Sequence, residues 1–369
     1  MSKEKIIEWN PDYIHLLPKA MDLDYIAYRD LLYAANAEDF MSFIFNENTI
    51  YGEANKSTKD IFEANNMDFN EWLNPDKSLE MNVPLNKRVS VNLSQYQQVV
   101  LDNINELRKS PIKKILENRL KEFINDKGEF AIPKEYSNNE EELIKFIEQV
   151  LQKLEDVWQR AKSNKNLDGK EQTAKSTLEA HDNLEKIMKY LKNASKSLTI
   201  KMWDRNPQKD LFQGNYSTCC ISIDGTNGDS MPHYLMNTAF NMIELVDNNL
   251  GKTIGNALCY FAVDEQDTPC FIIDNVEINT LYMQNLSNNR DLRDAIFEYA
   301  SKIAKKVTGK DIDVYLGAEF NDIYVADLTG QSKNLKFLGD FDCVELYMDL
   351  FKGLAQKHKF AEARYYKQK

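Results

Sequence analysis

The chain has 369 residues, 43% of them hydrophobic and 28% charged, enough for two ordinary domains with packed cores and too apolar for a disordered polymer. A formal net charge of -12 argues against broad electrostatic binding to nucleic acid or to an anionic membrane surface. No stretch approaches the about 20 apolar residues of a membrane-crossing helix, and the opening "MSKEKIIEWNPDYIHLL" has no apolar run of signal-peptide length, so a cytoplasmic protein is expected. The five cysteines, Cys219, Cys220, Cys259, Cys270 and Cys343, are an odd number in a large chain and read as reduced thiols.

Glycine divides the chain. Only Gly52, Gly128 and Gly169 occur in the first 196 residues, and the other ten follow residue 210. Helices disfavour glycine and tight turns need it, so a helical first half and a turn-rich second half are expected. Residues 20–45, "AMDLDYIAYRDLLYAANAEDFMSFIF", read as one or two helices, and "NPDKSLEMNVPLNKR" after them as loop. A helix is predicted over Leu93 to Leu107, and another in "SPIKKILENRLKEFI" with Ser110 as N-cap and Pro111 at its first position. Leu143, Ile147, Val150, Leu154 and Val157 recur at steps of four and three, as do His181, Leu184, Met188 and Leu191. Joined by "SNKNLDG", these two segments predict an antiparallel helical hairpin.

After Trp203 the period changes to two. "TCCISI" reads as a strand, and "NMIELVDNNLGKTIGNALCYFAVDEQDTPCFIIDNVEI" as three strands in a meander, turning at Asn248–Gly251 and Glu265–Pro269. A helix follows, with Leu292, Ile296, Tyr299 and Ile303 on one face and Gly309 at its end; "DIDVYLG" then resumes as a strand. "KFLGDFDCVELYMDLF" is read as a last strand running into a helix. The expected fold class is α+β: an all-helical bundle domain over 1–196, then a mixed sheet with helices over 197–369.

The order strand, strand, strand, helix, strand resembles the middle of the GNAT acetyltransferase fold over about residues 215 to 350. "VDNNLGKTIGNALCYFAV" is similar to that family's second and third strands, "CFIIDNVEI" to its fourth, "RDAIFEYASKIAKKVTG" to the helix after it and "DIDVYLG" to its fifth strand. The resemblance implies acetyl-CoA as cofactor, Glu277 as the base that takes the proton of an attacking amine, and Tyr324 as the acid for the leaving thiolate. The cofactor loop would be "TLYMQNLSNNRDLRD", with Asn288, Asn289, Arg290 and Arg293 as its contacts. It departs from the family's pattern. It has no glycine to bare its N–H groups, and Asp291 and Asp294 stand in the first helical turn, where a phosphate would lie.

A glutamine six residues ahead of a cysteine is similar to the papain-like arrangement, with Gln213 in the oxyanion hole, Cys219 as nucleophile and His233 or His358 as base. Such a nucleophile opens a helix, whereas "CCISIDG" reads as a strand of buried apolar thiols. Adjacent cysteines and four scattered histidines have no metal-ligand spacing, so no metal site is predicted. "DGTNGD" lacks the register of a calcium loop and reads as a polar turn. Trp203, Asp204 and Arg205 read as an interdomain packing point. The sequence therefore favours a non-catalytic binding or scaffolding protein with no cofactor, meeting a protein partner through the helical domain. An acyl-CoA-dependent N-acyltransferase using Glu277 is the alternative, and a cysteine hydrolase using Cys219 is third.

Overall fold

The computed structural model describes Leu16 and residues 37–84, 93–109, 112–138, 140–163, 177, 179–188, 197–203, 205, 207–280, 282, 286, 289–340, 350 and 359–367. The predicted helices within 20–36, the Ser110–Pro111 cap, residues 164–169 of the "SNKNLDG" turn, Leu191 and the segment 341–349 lie outside these residues. The chain forms two compact units. One is Met1–Leu85 with Ser197–Lys369, and the other is Asn86–Lys196.

The first unit carries a mixed sheet of nine strands: β1 Met81–Pro84, β2 Ser197–Met202, β3 Asn241–Asp247, β4 Lys252–Asp264, β5 Pro269–Ile273, β6 Glu277–Ile278, β7 Asp313–Gly317, β8 Gly330–Leu338 and β9 Ala361–Lys367. The order is β1-β2-β3-β4-β5-β7-β9-β8, and β6 pairs with β4. Only β5 and β7 run parallel among these pairs, and the helix Arg290–Thr308 makes the crossover between them. The long strand β4 also pairs through Phe261–Asp264 with Leu335–Leu338 of β8. The run β4-β5-β7-β9-β8 therefore returns to β4 and closes on itself. Closure removes the exposed edges that an open layer would have to protect. Tyr260, Ala262, Ile272, Tyr315, Phe337 and Tyr365 fill the core on one side of these strands.

The meander and its turns follow the sequence reading. Gly251 takes φ +62° at the β3–β4 turn, and Asp247 Oδ1 accepts from the N–H groups of Asn249 and Leu250 at 2.8 and 3.1 Å. The 290–308 helix buries Leu292, Ile296, Tyr299 and Ile303, starts at an Asn289 side-chain cap and ends at Gly309 in the left-handed conformation.

Three expectations are corrected. Strands do not begin at 197: Met81–Pro84, read as loop, pairs antiparallel with β2. A four-residue edge strand ending in proline has too few alternations to register as a strand by pattern. The helices Ala37–Ile44, Ile50–Ala64 and Phe69–Leu73 belong to the sheet-bearing unit, so the division does not fall at 196/197. Asn55 shows why: its Nδ2 donates to Ile44 O and Met236 O at 2.7 and 2.8 Å, and its Oδ1 accepts from Thr238 N at 2.8 Å and Oγ1 at 2.9 Å. Finally, "TCCISI" is a turn segment after the short helix Gln213–Ser217. Hydrogen bonds from Cys219 N to Gly214 O, Gly225 N to Ser222 O and Asn227 N to Cys220 O fold it back on itself. A Cβ at Gly214 or Gly225 would lie 2.4 Å from Ser222 N or Cys220 O, so glycine there permits the close backbone approach.

The second unit is helical, with Leu93–Leu107, Lys113–Arg119, Glu140–Ser163 and a helix that includes 179–188. Leu143, Ile147, Val150, Leu154 and Val157 are fully buried as their spacing predicts. On the 179–188 helix Leu184 is buried as its spacing predicts, whereas His181 and Met188 are half-buried and Ala180 and Ile187, each one residue earlier, are buried beside it.

Pro84 and Ser197 are partners in the β1–β2 ladder, so the chain leaves and re-enters the sheet at paired positions. Residues 85–196 are thus an insertion in a hairpin, a place where domains insert with little cost. Replacing them with a two-residue Asn-Gly turn is expected to leave a soluble chain with one cooperative thermal transition. Loss of that transition would show that the sheet depends on the helical unit.

Candidate functional site

Two segments with unusual backbone face each other across an open cleft of about 660 Å³. The first is the turn after Gln213–Ser217, where Thr218 sits at φ +59°, ψ 36°. The second is the loop after β7, where Phe320 sits at φ +55°. A left-handed conformation is costly for bulky or β-branched residues, of order 1–3 kcal/mol each, and persists only where surroundings enforce it. Thr218 is held by its hydroxyl, which donates to Ser217 O at 2.6 Å and accepts from Thr280 N at 3.1 Å. Phe320 is held by its neighbour: Asn321 Nδ2 donates to Gly317 O at 2.6 Å and its Oδ1 accepts from Val276 N at 3.1 Å. Gly317 makes this crossing possible, since a Cβ there would lie 1.9 Å from Asp274 O.

Glu277 and Cys219 both line the cleft. Burial, then the neighbouring Glu277 charge, push the Cys219 thiol well above its ordinary pKa. Glu277 Oε1 also accepts from Asn275 Nδ2 at 3.3 Å. Cys220 is exposed, with its Sγ 3.9 Å from that of Cys219. Asp322, on the opposite wall, accepts from Ile278 N at 3.0 Å, and its own burial raises its pKa. The lining carries the acidic groups of Glu277 and Asp322 and no basic side chain among the described residues.

The remaining predicted residues stand elsewhere. Arg293 is nearly buried, ion-paired with Asp294 at 2.7 Å and with Asp327. Arg290 reaches Asp327 at 3.2 Å, and both guanidinium groups lie over the Tyr324 ring at 5.3 and 5.6 Å. Tyr324 is therefore a platform for two arginines and does not line the cleft. Asn289 caps the 290–308 helix, and Asn288 lies outside the described residues. Gln213 is buried, with Nε2 donating to Glu244 at 2.8 Å, and is not a cleft residue. His233 bonds Tyr51 Oη at 2.8 Å, and burial lowers its pKa to about 4. His358 and Asp204 lie outside the described residues. The structure thus brings Cys219 to Glu277 and to neither Gln213 nor His233. Cys219 also follows the C-terminal end of a helix, the end that disfavours a thiolate.

Thr218, Phe320, Asn321 and Asp322 were not singled out by pattern. "EFNDI" offered one signal, since Asn and Asp directly after a strand bond nearby backbone groups. In the helical unit His181, Asp182 and Glu185 hold ligand atoms within 4.8 Å of one another on a helix face where both acids are exposed, an ordinary solvated arrangement. No helix among the described residues is long and apolar enough to cross a membrane. No family model, curated protein or solved structure matches the chain.

Proposed function

We propose that this is a non-catalytic binding protein: a GNAT-like layer whose cofactor contacts are taken up internally, with the inserted helical unit as a partner-binding module. One observation carries the reading. The groups that would hold an acyl-CoA are already bonded. Arg290 and Arg293 are tied to Asp327 and Asp294, and the N–H groups of Val276 and Ile278 bond the side chains of Asn321 and Asp322. A cofactor would have to break these contacts, each charged hydrogen bond being worth about 1.5–3 kcal/mol, before making its own. The parallel pairing of β5 with β7 around the 290–308 helix supports the GNAT likeness, and the β4–β8 closure departs from an open layer. The hairpin position of residues 85–196 supports a module added to a sheet.

Isothermal titration with acetyl-CoA is expected to give no saturable heat, meaning a dissociation constant weaker than about 1 mM. Saturable binding that Arg290→Ala abolishes would overturn the proposal in favour of an acyltransferase. That second reading is favoured by the placement of Glu277 on the wall of an open cleft. Under it, Glu277→Gln would lower turnover and leave cofactor affinity unchanged.

A further inference from the structure

We infer that the open cleft seats the guanidinium of an arginine side chain presented by a partner protein, between the exposed Phe320 ring and the carboxylates of Asp322 and Glu277. The inference rests on the reading of this chain as a binding protein and adds a contact on the sheet-bearing unit. The Phe320 ring lines the cleft with 68% of its surface exposed. A single exposed ring is ordinary, but its setting is not. Elsewhere on this unit, rings near an acid carry a cation that the acid pairs. Arg290 and Arg293 lie over Tyr324 at 5.3 and 5.6 Å and pair with Asp327. Lys336 lies over Phe360 at 5.3 Å and pairs with Asp267 at 3.8 Å; Lys367 lies over Tyr315 at 6.0 Å and pairs with Asp313 at 2.6 Å. Phe320 has acids beside it in the same cleft, yet among the described residues no cation lies over its ring and no Lys or Arg pairs with Asp322. The missing cation comes from outside the chain.

The lining sorts among cations. Among the described residues no three carboxylate, thiol or imidazole donors of the cleft come within 4.8 Å of one another, so its charge is too spread for a bare metal ion. Burial and the Glu277 charge keep the Cys219 thiol protonated, so the negative charge comes from the carboxylates on opposite walls, with no basic side chain in the lining to offset it. A guanidinium suits this arrangement. Its planar fork of donors reaches carboxylates at its edges while its face lies on a ring. It is also more weakly hydrated than an ammonium, so it loses less on moving from water onto an aromatic face. A carboxylate accepts at about four lone-pair sites, so the Ile278 N–H bond to Asp322 need not break. At about 660 Å³ the cleft exceeds what one guanidinium fills and leaves room for the backbone that carries it.

The test is isothermal titration of the full chain with the blocked peptide acetyl-Gly-Arg-Gly-amide and with its lysine and citrulline counterparts. Saturable binding of one arginine peptide per chain is expected, weaker for lysine, absent for the neutral citrulline, and falling as salt is raised. Phe320→Leu keeps an apolar side chain but removes the ring, and is expected to weaken binding about 3–30-fold, whereas Phe320→Trp retains it. Asp322→Asn keeps an acceptor for Ile278 N and is expected to weaken binding by a similar factor. Phe360→Leu, whose ring already carries Lys336, is expected to bind as the parent does. Phe320 is exposed, so thermal unfolding of its variants is expected to match the parent and keeps the comparison free of folding defects. No saturable heat at about 10 mM arginine peptide, equal or tighter binding of the lysine or citrulline peptide, or undiminished binding in both Phe320→Leu and Asp322→Asn would overturn the inference. The acetyl-CoA titration reads the functional proposal separately, so the two failures are told apart.

Discussion

Replacing Trp72 with alanine is expected to lower the unfolding free energy by about 3–5 kcal/mol, measured by urea denaturation of the full chain. The side chain is completely buried, and its indole N–H donates to Thr238 O at 2.8 Å. Its ring meets Phe62 at 6.1 Å, Phe261 at 5.2 Å and Phe271 at 6.1 Å. The last two belong to β4 and β5, so this one residue joins the early helices to the middle of the sheet. Alanine would leave a cavity among aromatic rings and an unpaired buried carbonyl at Thr238, two costs that add. Phenylalanine fills most of the volume but loses the hydrogen bond, and about 1 kcal/mol of that part is expected. A loss below about 1 kcal/mol for alanine would mean that residues 37–84 are not integral to the sheet's core.

The buried carboxylates Glu244 and Asp210 are expected to respond to pH with opposite slopes. Glu244 Oε1 accepts from Lys209 Nζ at 2.7 Å, Gln213 Nε2 at 2.8 Å and Thr253 Oγ1 at 2.9 Å, and Lys201 Nζ lies 3.3 Å from Oε2. Burial opposes its charge, but Lys209 and Lys201 outweigh burial and hold its pKa below the ordinary value. A depressed pKa gives stability that is present above the unfolded value of about 4.3 and lost as the pH falls. Glu244→Gln should therefore cost about 3 kcal/mol at pH 7 and much less near pH 3. The low end of the range for a broken buried pair applies because the Lys201 and Lys209 side chains keep 17% and 34% of their exposure.

Asp210 is completely buried, and neither of its oxygens completes a hydrogen bond with the described residues. Burial pushes its pKa well above the ordinary range; Lys209 and Arg205 oppose this shift and Glu244 adds to it. Arg205 is itself buried, its pKa lowered to about 10 by burial, and donates to the carbonyls of Leu235 and Phe240. A raised pKa gives stability that is present below the unfolded value of about 3.9 and lost as the pH rises. Asp210→Asn should therefore gain on the parent protein by about 1–3 kcal/mol between pH 4 and pH 7. Parallel slopes for the two variants would refute the assignment of opposite shifts.

Much of the fold was legible because it depends on neighbours in the chain. The Asn248–Gly251 turn needs a positive φ, and Gly251 supplies it four residues after Asp247, which bonds the turn's N–H groups. The 290–308 helix carries its own stripe, its asparagine cap and its terminal glycine. The stripe from Leu143 to Val157 likewise needs only the helical period to be read.

What the sequence alone could not determine depends on distant partners. Met81–Pro84 is a strand because β2 lies beside it across an insertion, and four residues carry no period of their own. The closure of β4 on β8 joins residues far apart in the chain, which no local pattern encodes. "TCCISI" alternates as a strand does, yet Gly214 and Gly225 allow backbone contacts that outcompete a ladder. Arg290 and Arg293 lie over the Tyr324 ring because Asp327, more than thirty residues along the chain, draws them there. Glu277 and Cys219 were each singled out for a different chemistry. The sequence determined that both were groups of interest; only the tertiary structure, by folding a glycine-bearing turn against the end of β6, decided that they share one cleft.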